Sequence, residues 1–296
     1  MHASISPQRL SHIFIIMTLI TSPGNPRISK LRNLHTRRAR RESGIFLMEG
    51  PHLLDALLDA EVLPLEVYYQ PDLLQRTTQG SNLLARLLET LEPEACIEVS
   101  ERVIEALGEV QTSQGVVSVL PLDAFDPERL RTQRMRVSRP VLLILDAVSD
   151  PGNMGTILRT ALAADVASVL LTSGCVDCYN PKVVRAAAGA HIALPIESNL
   201  PWSAIEEKVT YHCRGNPRLL LADAGSPNFY YEQDLTQPFA LIIGNEAKGP
   251  SREARQRATL TISIPLANHV ESLNAAMATG IMLYEAVRQK RTSGTR

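Results

Sequence analysis

The feature that most constrains this chain is a set of continuous apolar runs in its second half, each ending in polar, mostly glycine-bearing sequence. V-L-L-I-L-D (141–146) lacks polar alternation, the pattern of a strand covered on both faces in a parallel sheet. A-S-V-L-L-T (167–172), L-L-L-A-D (219–223) and F-A-L-I-I-G (239–244) repeat it. Helical stretches at 154–164, 181–189 and 272–290 complete a β/α series. Such alternation predicts an α/β fold with a mostly parallel sheet flanked by helices. In open sheets of this class ligands bind outside the carboxyl ends of the strands, so the polar ends of these runs are where function is sought.

A smaller α/β unit precedes this series. Residues 26–42 read as one basic helix with Ile28, Leu31 and Leu34 at helical spacing. Strand G-I-F-L-M-E-G, helix 52–60, strand V-L-P-L-E-V-Y-Y, a helical region over 73–91, strand I-E-V-S, a helix from Ser100 and strand G-V-V-S-V-L follow. The boundaries predicted are a first unit at 24–121, a polar linker at 122–139 without a core stripe, and a second domain at 140–291. Residues 1–23 read as a disordered or mis-assigned extension. The run I-F-I-I-M-T-L-I (13–20) is too short to span a bilayer, no small-residue cleavage site follows it, and Met17 offers an alternative start.

Charge is distributed unevenly. The chain of 296 residues carries a net charge of −1, yet Arg27, Lys30, Arg32, Arg37, Arg38, Arg40 and Arg41 place seven cations and no acid in 27–41. That segment reads as an anion-facing patch. Cys175 and Cys178 form a C-x-x-C pair, but only His212–Cys213 could complete a zinc site, so the four cysteines read as small buried thiols in a reducing cytoplasm and no metal is expected.

Three segments could carry chemistry. In L-D-A-V-S-D-P-G-N-M-G-T-I-L-R-T-A (145–161), Gly152 and Gly155 permit a tight turn, Asn153 can cap the following helix, and Arg159 follows within two turns. In L-I-I-G-N-E-A-K-G-P-S (241–251) the glycines have phosphate-loop spacing, but Pro250 stands where that motif needs lysine, so nucleotide hydrolysis is excluded. What remains there is a loop of backbone donors with the carboxylate of Glu246. In I-S-I-P-L-A-N-H-V-E-S-L-N-A-A-M-A-T-G-I-M-L-Y-E-A-V (262–287), Ser272 can cap a long helix whose apolar stripe is Leu273, Met277, Ile281, Tyr284 and Val287, a core or subunit-interface pattern.

In this order the three segments resemble the signature motifs of the SpoU (TrmH-type) RNA ribose methyltransferases of the SPOUT superfamily, carried by D-P-G-N-M-G-T-I-L-R-T-A, I-G-N-E-A-K-G and I-P-L-A-N-H-V-E-S-L-N-A-A-M-A. Y-N-P-K-V-V-R-A-A-A-G-A (179–190) is also typical of that family, and R-R-E-S-G-I-F-L-M-E-G resembles the substrate-binding domain many members carry. Asn268-His269 departs from the smaller residues many members have there.

The resemblance implies a C-terminal trefoil-knotted domain acting as a homodimer, with the helix at 272–290 in the interface. It implies S-adenosylmethionine held largely by backbone at Leu221, Ala222, Gly244, Ile264 and Leu273, with Asn274 nearby. It assigns Arg159, Asn153, Glu246, Ser272 and Asn274 to the reaction centre. Arginine holds its proton too firmly to serve easily as a base, so Arg159 reads better as a donor to RNA phosphate that lowers the effective pKa of the hydroxyl. Arg37, Arg38, Arg40 and Arg41 then become RNA-docking cations. The expected substrate is a ribose 2′-hydroxyl of 23S rRNA, favoured over tRNA by the extra N-terminal domain. A non-catalytic RNA-binding protein on the same fold is the reading from another class, and the intact set of polar residues speaks against it.

Overall fold

The structure, a computed structural model, describes residues 19–108, 113–134 and 140–294. The alternative start at Met17 and most of the expected extension lie outside these. Residues 19–23 do not belong to an extension: Ile20 is buried and bridges Val99 in parallel, donating its N–H to the Glu98 carbonyl at 3.1 Å.

The N-terminal unit runs α1 (Pro26–Arg32), a 3-10 turn (Asn33–His35), α2 (Arg37–Ser43), β1 (Ile45–Glu49), α3 (Pro51–Asp59), β2 (Glu66–Tyr69), α4 (Pro71–Leu74), α5 (Thr78–Thr90), β3 (Cys96–Glu98), α6 (Glu101–Leu107) and β4 (Val116–Pro121). Its sheet has the order β1-β4-β2-β3, antiparallel except for β2–β3. The single basic helix expected over 26–42 is broken. Thr36 is extended and its hydroxyl accepts from Ala39 N–H, capping α2, which is how threonine competes with a continuous helix.

The second unit runs β5 (Val141–Leu145), α8 (Pro151–Ala163), β6 (Ser168–Thr172), α9 (Pro181–Ala186), α10 (Ala190–Ala193), β7 (Ile196–Leu200), α11 (Trp202–His212), β8 (Leu219–Ala222), β9 (Phe239–Ile243), α12 (Arg252–Arg257), β10 (Leu260–Ile262) and α13 (Ala275–Thr292), with α7 (Pro127–Arg134) preceding it. The six strands lie in the order β10-β8-β9-β5-β6-β7, and every pair is parallel. The period-2 rule sorts the side chains. Leu143, Leu145, Leu241 and Ile243 face α8 and α13, whereas Leu142, Ile144, Ala240 and Ile242 face α11 and α12. Both faces being covered is why these strands read as unbroken apolar runs. β7 and α11 give no such signal: Ile196–Leu200 is a polar edge strand, and α11 buries only Ile205 and Val209.

Local chemistry differs from expectation at the start of α8. Pro151 occupies the first turn and the Asp150 carboxylate accepts from Asn153 N–H at 2.7 Å, so Asp150 is the cap and Asn153 is not. Gly152 and Gly155 lie inside α8 and form no turn. At Gly155 a Cβ would sit 2.5 Å from Ala186 Cβ, so glycine is what lets α9 pack directly on α8. α13 likewise starts at Ala275 with Asn274 as its cap, in place of Ser272. Its buried face is Ala276, Thr279, Met282, Leu283 and Ala286; Leu273, Met277 and Tyr284 of the expected stripe face outward.

Two further expectations are corrected where the units meet. The segment 122–139, read as a linker without core, contains α7, and Phe125 and Leu130 are buried with Phe46, Leu57, Val184 and Ile192. Arg40, read as an RNA-facing cation, is 2% exposed. Its guanidinium donates to Asp177 Oδ2 through Nε (3.1 Å) and Nη2 (2.5 Å), and through Nη1 to the carbonyls of Leu34 (2.6 Å) and His35 (3.1 Å). The apolar surroundings of α2 leave no room for its charge except in this fork, which ties α2 to the loop before α9. Beside it Phe46 packs on Tyr179, with ring centroids 4.6 Å apart, and Tyr179 on His191 at 5.8 Å. Burial drops the His191 pKa to about 4. The unfolded chain therefore binds a proton below pH ~6.5 that the folded chain refuses until about 4, so this site costs stability as pH falls through that window. We expect Arg40→Ala to lower the unfolding free energy by about 3 kcal/mol in denaturant titration, because it leaves Asp177 and two carbonyls without their donor. Arg37→Ala, on the exposed side of the same helix, should change it by less than about 0.5 kcal/mol.

Candidate active site

The three polar segments converge at the carboxyl ends of β5, β8, β9 and β10. The centre of the arrangement is Glu246. Its Oε1 accepts from Asn153 Nδ2 at 3.0 Å and Asp150 N–H at 3.3 Å, and its Oε2 from Ser149 N–H at 3.2 Å and Ser149 Oγ at 3.3 Å. Asn153 Oδ1 accepts in turn from Asn274 Nδ2 at 2.8 Å, and Asn274 Oδ1 accepts from Ala276 and Met277 N–H, closing the first turn of α13. One hydrogen-bonded chain thus joins the loop after β9, the start of α8 and the start of α13. Burial pushes the Glu246 carboxyl up, but the hydrogen bonds from Asn153, Ser149 and Asp150 outweigh it and hold the group below the ordinary glutamate value. A carboxylate so occupied positions Asn153; it is a poor proton acceptor.

Beside this chain lies a cavity of about 520 Å³, within the range of pockets for drug-sized ligands, roughly 300–1,000 Å³. Ala222, Gly244, Ile264, Leu273, Asn274, Ser272, Asn153 and Glu246 all line it. Leu221 does not. It points into the core beneath the opposite face of the sheet, so only its main chain is near the cavity. Gly244 is required by close approach: a Cβ there would meet Pro250 N at 2.4 Å. Gly249 turns the loop in a left-handed conformation (φ 68°), donating its N–H to the Asn245 carbonyl.

Arg159 is on α8 but does not line the cavity. It stands four residues after Gly155, on the stripe of α8 that meets α9, exposed and with no hydrogen bond or ion pair among the described residues. Arg37 and Arg41 are exposed on α2, and Arg38 is exposed in an i,i+4 pair with Glu42 at 2.7 Å. His269 and Asn268 occupy consecutive left-handed positions in an exposed turn. Cys175 is half-buried and Cys178 buried, and desolvation pushes their thiols up to about 11 and about 12, which makes them unreactive. Among the described residues no group of three His, Cys, Asp or Glu side chains is placed to hold a metal ion.

Sequence reasoning missed three positioning residues. Buried Asp146, at the end of β5, accepts from Ser251 N–H at 2.7 Å and from Thr172 Oγ1 at 3.3 Å. Asn245 donates to the Ala147 carbonyl at 2.7 Å and accepts from Ala247 and Lys248 N–H. Asp150 caps α8. The signal was available: aspartate or asparagine directly after an apolar strand or before Pro151 is the residue type that satisfies loop N–H groups.

Comparison with known proteins decides the class. The SpoU rRNA Methylase family matches residues 140–284, and an MRM3-like substrate binding domain matches residues 25–118. An uncharacterised tRNA/rRNA methyltransferase of Synechocystis is 34% identical over 276 residues, covering 93% of this chain and 96% of its own. The chain belongs to the SpoU rRNA methylase family.

The 23S rRNA (guanosine(2553)-2′-O)-methyltransferase RlmP of Bacillus subtilis is 33% identical over 90% of this chain and 98% of its own length.

 The AdoMet-bound rRNA methyltransferase from Sinorhizobium meliloti superposes with a TM-score of 0.77 at 29% identity, covering 92% of this chain and 97% of that one. This SpoU member is accordingly an S-adenosylmethionine-dependent RNA 2′-O-methyltransferase. Its cavity fits that cofactor. Main chain at Ala222, Gly244 and Ile264 can approach closely, Leu273 and Met282 offer apolar surface, and Asp223, Glu246 and Glu271 supply negative charge for a sulfonium and an ammonium.

Because the ionised form of Glu246 holds the network, cofactor binding should stay level from about pH 7 to pH 5. It should then fall as the pH drops below the ordinary value of 4.5 and through the lowered one. Glu246→Gln places an N–H donor against donors. It should cut single-turnover methyl transfer by at least about tenfold and remove that acid dependence.

Proposed function

We propose that this protein methylates a ribose 2′-hydroxyl in 23S rRNA, with the N-terminal unit docking the RNA and the cavity at the strand ends holding the methyl donor. The observation that carries this is the Glu246–Asn153–Asn274 chain, which fixes three loops around one pocket while Arg159 stands free on the same helix as Asn153. The rRNA assignment is supported by the printed activity of RlmP and by the match of residues 25–118 to a substrate-binding domain.

The cofactor supplies a methyl group on a good leaving group, so the protein's tasks are alignment and stabilisation of the attacking oxygen. Ala222, Gly244, Ile264 and Leu273 would hold the donor, which would supply an electrophilic methyl group to O2′; its sulfur would leave as a neutral thioether and the hydroxyl proton would pass to water. Asn153, held at both ends of its amide by Glu246 and Asn274, orients the reacting region. Ser272, which lines the cavity, offers a hydroxyl to the ribose. Arg159 remains protonated and donates to the RNA phosphate, favouring charge on the neighbouring oxygen. Arg37, Arg38 and Arg41 contact phosphates of the docked RNA.

The same reading covers assembly. Met277 is 61% and Tyr284 50% exposed on α13, with Leu273 beside them, an apolar stripe that a second copy of this chain would cover in a homodimer. Residues 263–275 run past 222–224 and 243–250 around one cavity, which supports the trefoil knot. Among the described residues no helix is long and apolar enough to cross a membrane, and a cytoplasmic place follows from the substrate.

The function is tested by incubating the protein with labelled methyl donor and separate rRNA and tRNA pools from a strain lacking the gene, then digesting with alkali. Label in an alkali-resistant dinucleotide from 23S rRNA is expected; label in tRNA alone would overturn the rRNA assignment. Arg159→Ala should lower transfer by about a hundredfold or more with cofactor affinity within about threefold of the unaltered protein. Combined loss of both would place Arg159 in the cofactor pocket or the fold. Met277→Glu with Tyr284→Glu should halve the particle mass in light scattering, whereas an unchanged mass would remove this stripe from the interface.

A further inference from the structure

The segment Y-N-P-K-V-V-R-A-A-A-G-A has no part in the pocket, yet it lies between the two surfaces assigned to RNA. Its helix α9 packs on α8 at Gly155, where Val183, Ala186 and Ala187 fill the space of the absent side chain. Val184 enters the core shared with Phe46 and Leu53 of the N-terminal unit. The loop before it is fastened to α2 by Arg40 and Asp177, and the same carboxylate also accepts from Tyr179 N–H. α2, α9 and α8 therefore stand in series, with α9 wedged between the docking unit and the helix that carries Arg159.

The three helices share a charge pattern. α2 holds Arg37, Arg38, Arg40 and Arg41 with Glu42; α9 holds Lys182 and Arg185; α8 holds Arg159. Glu42 is the one acid among them, in a chain whose net charge is −1. Two of the cations are committed inside the protein or beside it. Arg40 is buried, and Arg185 borders a small cleft with His35 and Glu49. Lys182 is exposed, its backbone N–H donates to Asn180 Oδ1, and its ammonium makes no hydrogen bond or ion pair among the described residues. It lies one helical turn or less from the junction, beyond the Asn180 cap. Turned to solvent, it has a flexible ammonium suited to a point contact with phosphate.

We propose that Lys182 on α9 is the middle contact of a phosphate track, holding the RNA backbone between the part docked at Arg37 and Arg41 and the nucleotide presented at Arg159. This rests on the RNA methyltransferase reading and adds a substrate-positioning residue to it. Its role is to bind and align the substrate, with no part in holding the methyl donor. Neutralising one phosphate contact should weaken binding regardless of RNA sequence and lower the slope of log affinity against log salt by about 0.7–0.9.

The test uses the full chain and unmodified 23S rRNA transcribed in vitro, with binding read by fluorescence anisotropy over a salt series and transfer measured separately. Lys182→Glu should weaken RNA binding about tenfold, reduce the salt slope by about one, and raise KM for RNA with kcat and donor affinity unchanged. Lys182→Arg should restore both binding and slope. Arg214→Glu, at an exposed cation after α11, should leave them as they were. Unchanged affinity and slope in Lys182→Glu would overturn the track. So would an equal loss in Arg214→Glu, which would reveal only a general charge effect. Failure of the unaltered protein to transfer methyl would overturn the enzymatic reading instead, and because binding is read independently, the two failures are distinguishable.

Discussion

The site depends on one carboxylate satisfying four donors. Glu246 stands at the end of a strand buried on both faces, and Ser149, Asp150 and Asn153 all direct hydrogen into it. Unpaired, these groups would pull the loops after β5 and β9 apart toward water. Paired, they leave Asn153 with a single orientation, which passes to Asn274 and so to the first turn of α13. The walls of the cavity are thereby set before any ligand arrives, which is what a reaction governed by alignment requires.

A second constraint fixes the substrate side. The buried fork from Arg40 to Asp177, with Phe46, Phe125 and Tyr179 beside it, makes the N-terminal unit and the parallel-sheet domain share a core. A docking unit swinging on a flexible linker would leave the distance from RNA contact to reaction centre to chance. With α7 folded onto the junction and α9 wedged within it, that distance is built into the fold. Charge that composition assigns to a surface is in part structural, and the exposed set is narrower than the run of arginines implies.

How far the sequence could be read follows from the period of each pattern. The parallel sheet was legible because β5, β6, β8 and β9 are apolar on both faces, a signal that needs no context. β7 was not, since an edge strand with I-E-S-N-L buries too little to stand out. Asn153 and Glu246 were legible as polar groups past strand ends and Asn274 through the family motif, but the capping roles were not: capping belongs to Asp150 and Asn274, set by where Pro151 and Ala275 begin their helices. Gly155 looked like a turn glycine because its real cause, the approach of α9, lies about thirty residues away in sequence. Arg40 was misread for the same reason, because its partner Asp177 is 137 positions distant.

The central claim is that these strand ends form one preorganised pocket for S-adenosylmethionine. Calorimetric titration of the full chain with S-adenosylmethionine tests it most directly. The account predicts saturable heat with one molecule bound per chain, lost on substituting Gly244 by valine, whose side chain would collide with Pro250. Absence of heat with the unaltered protein, or unchanged binding in Gly244→Val, would contradict it.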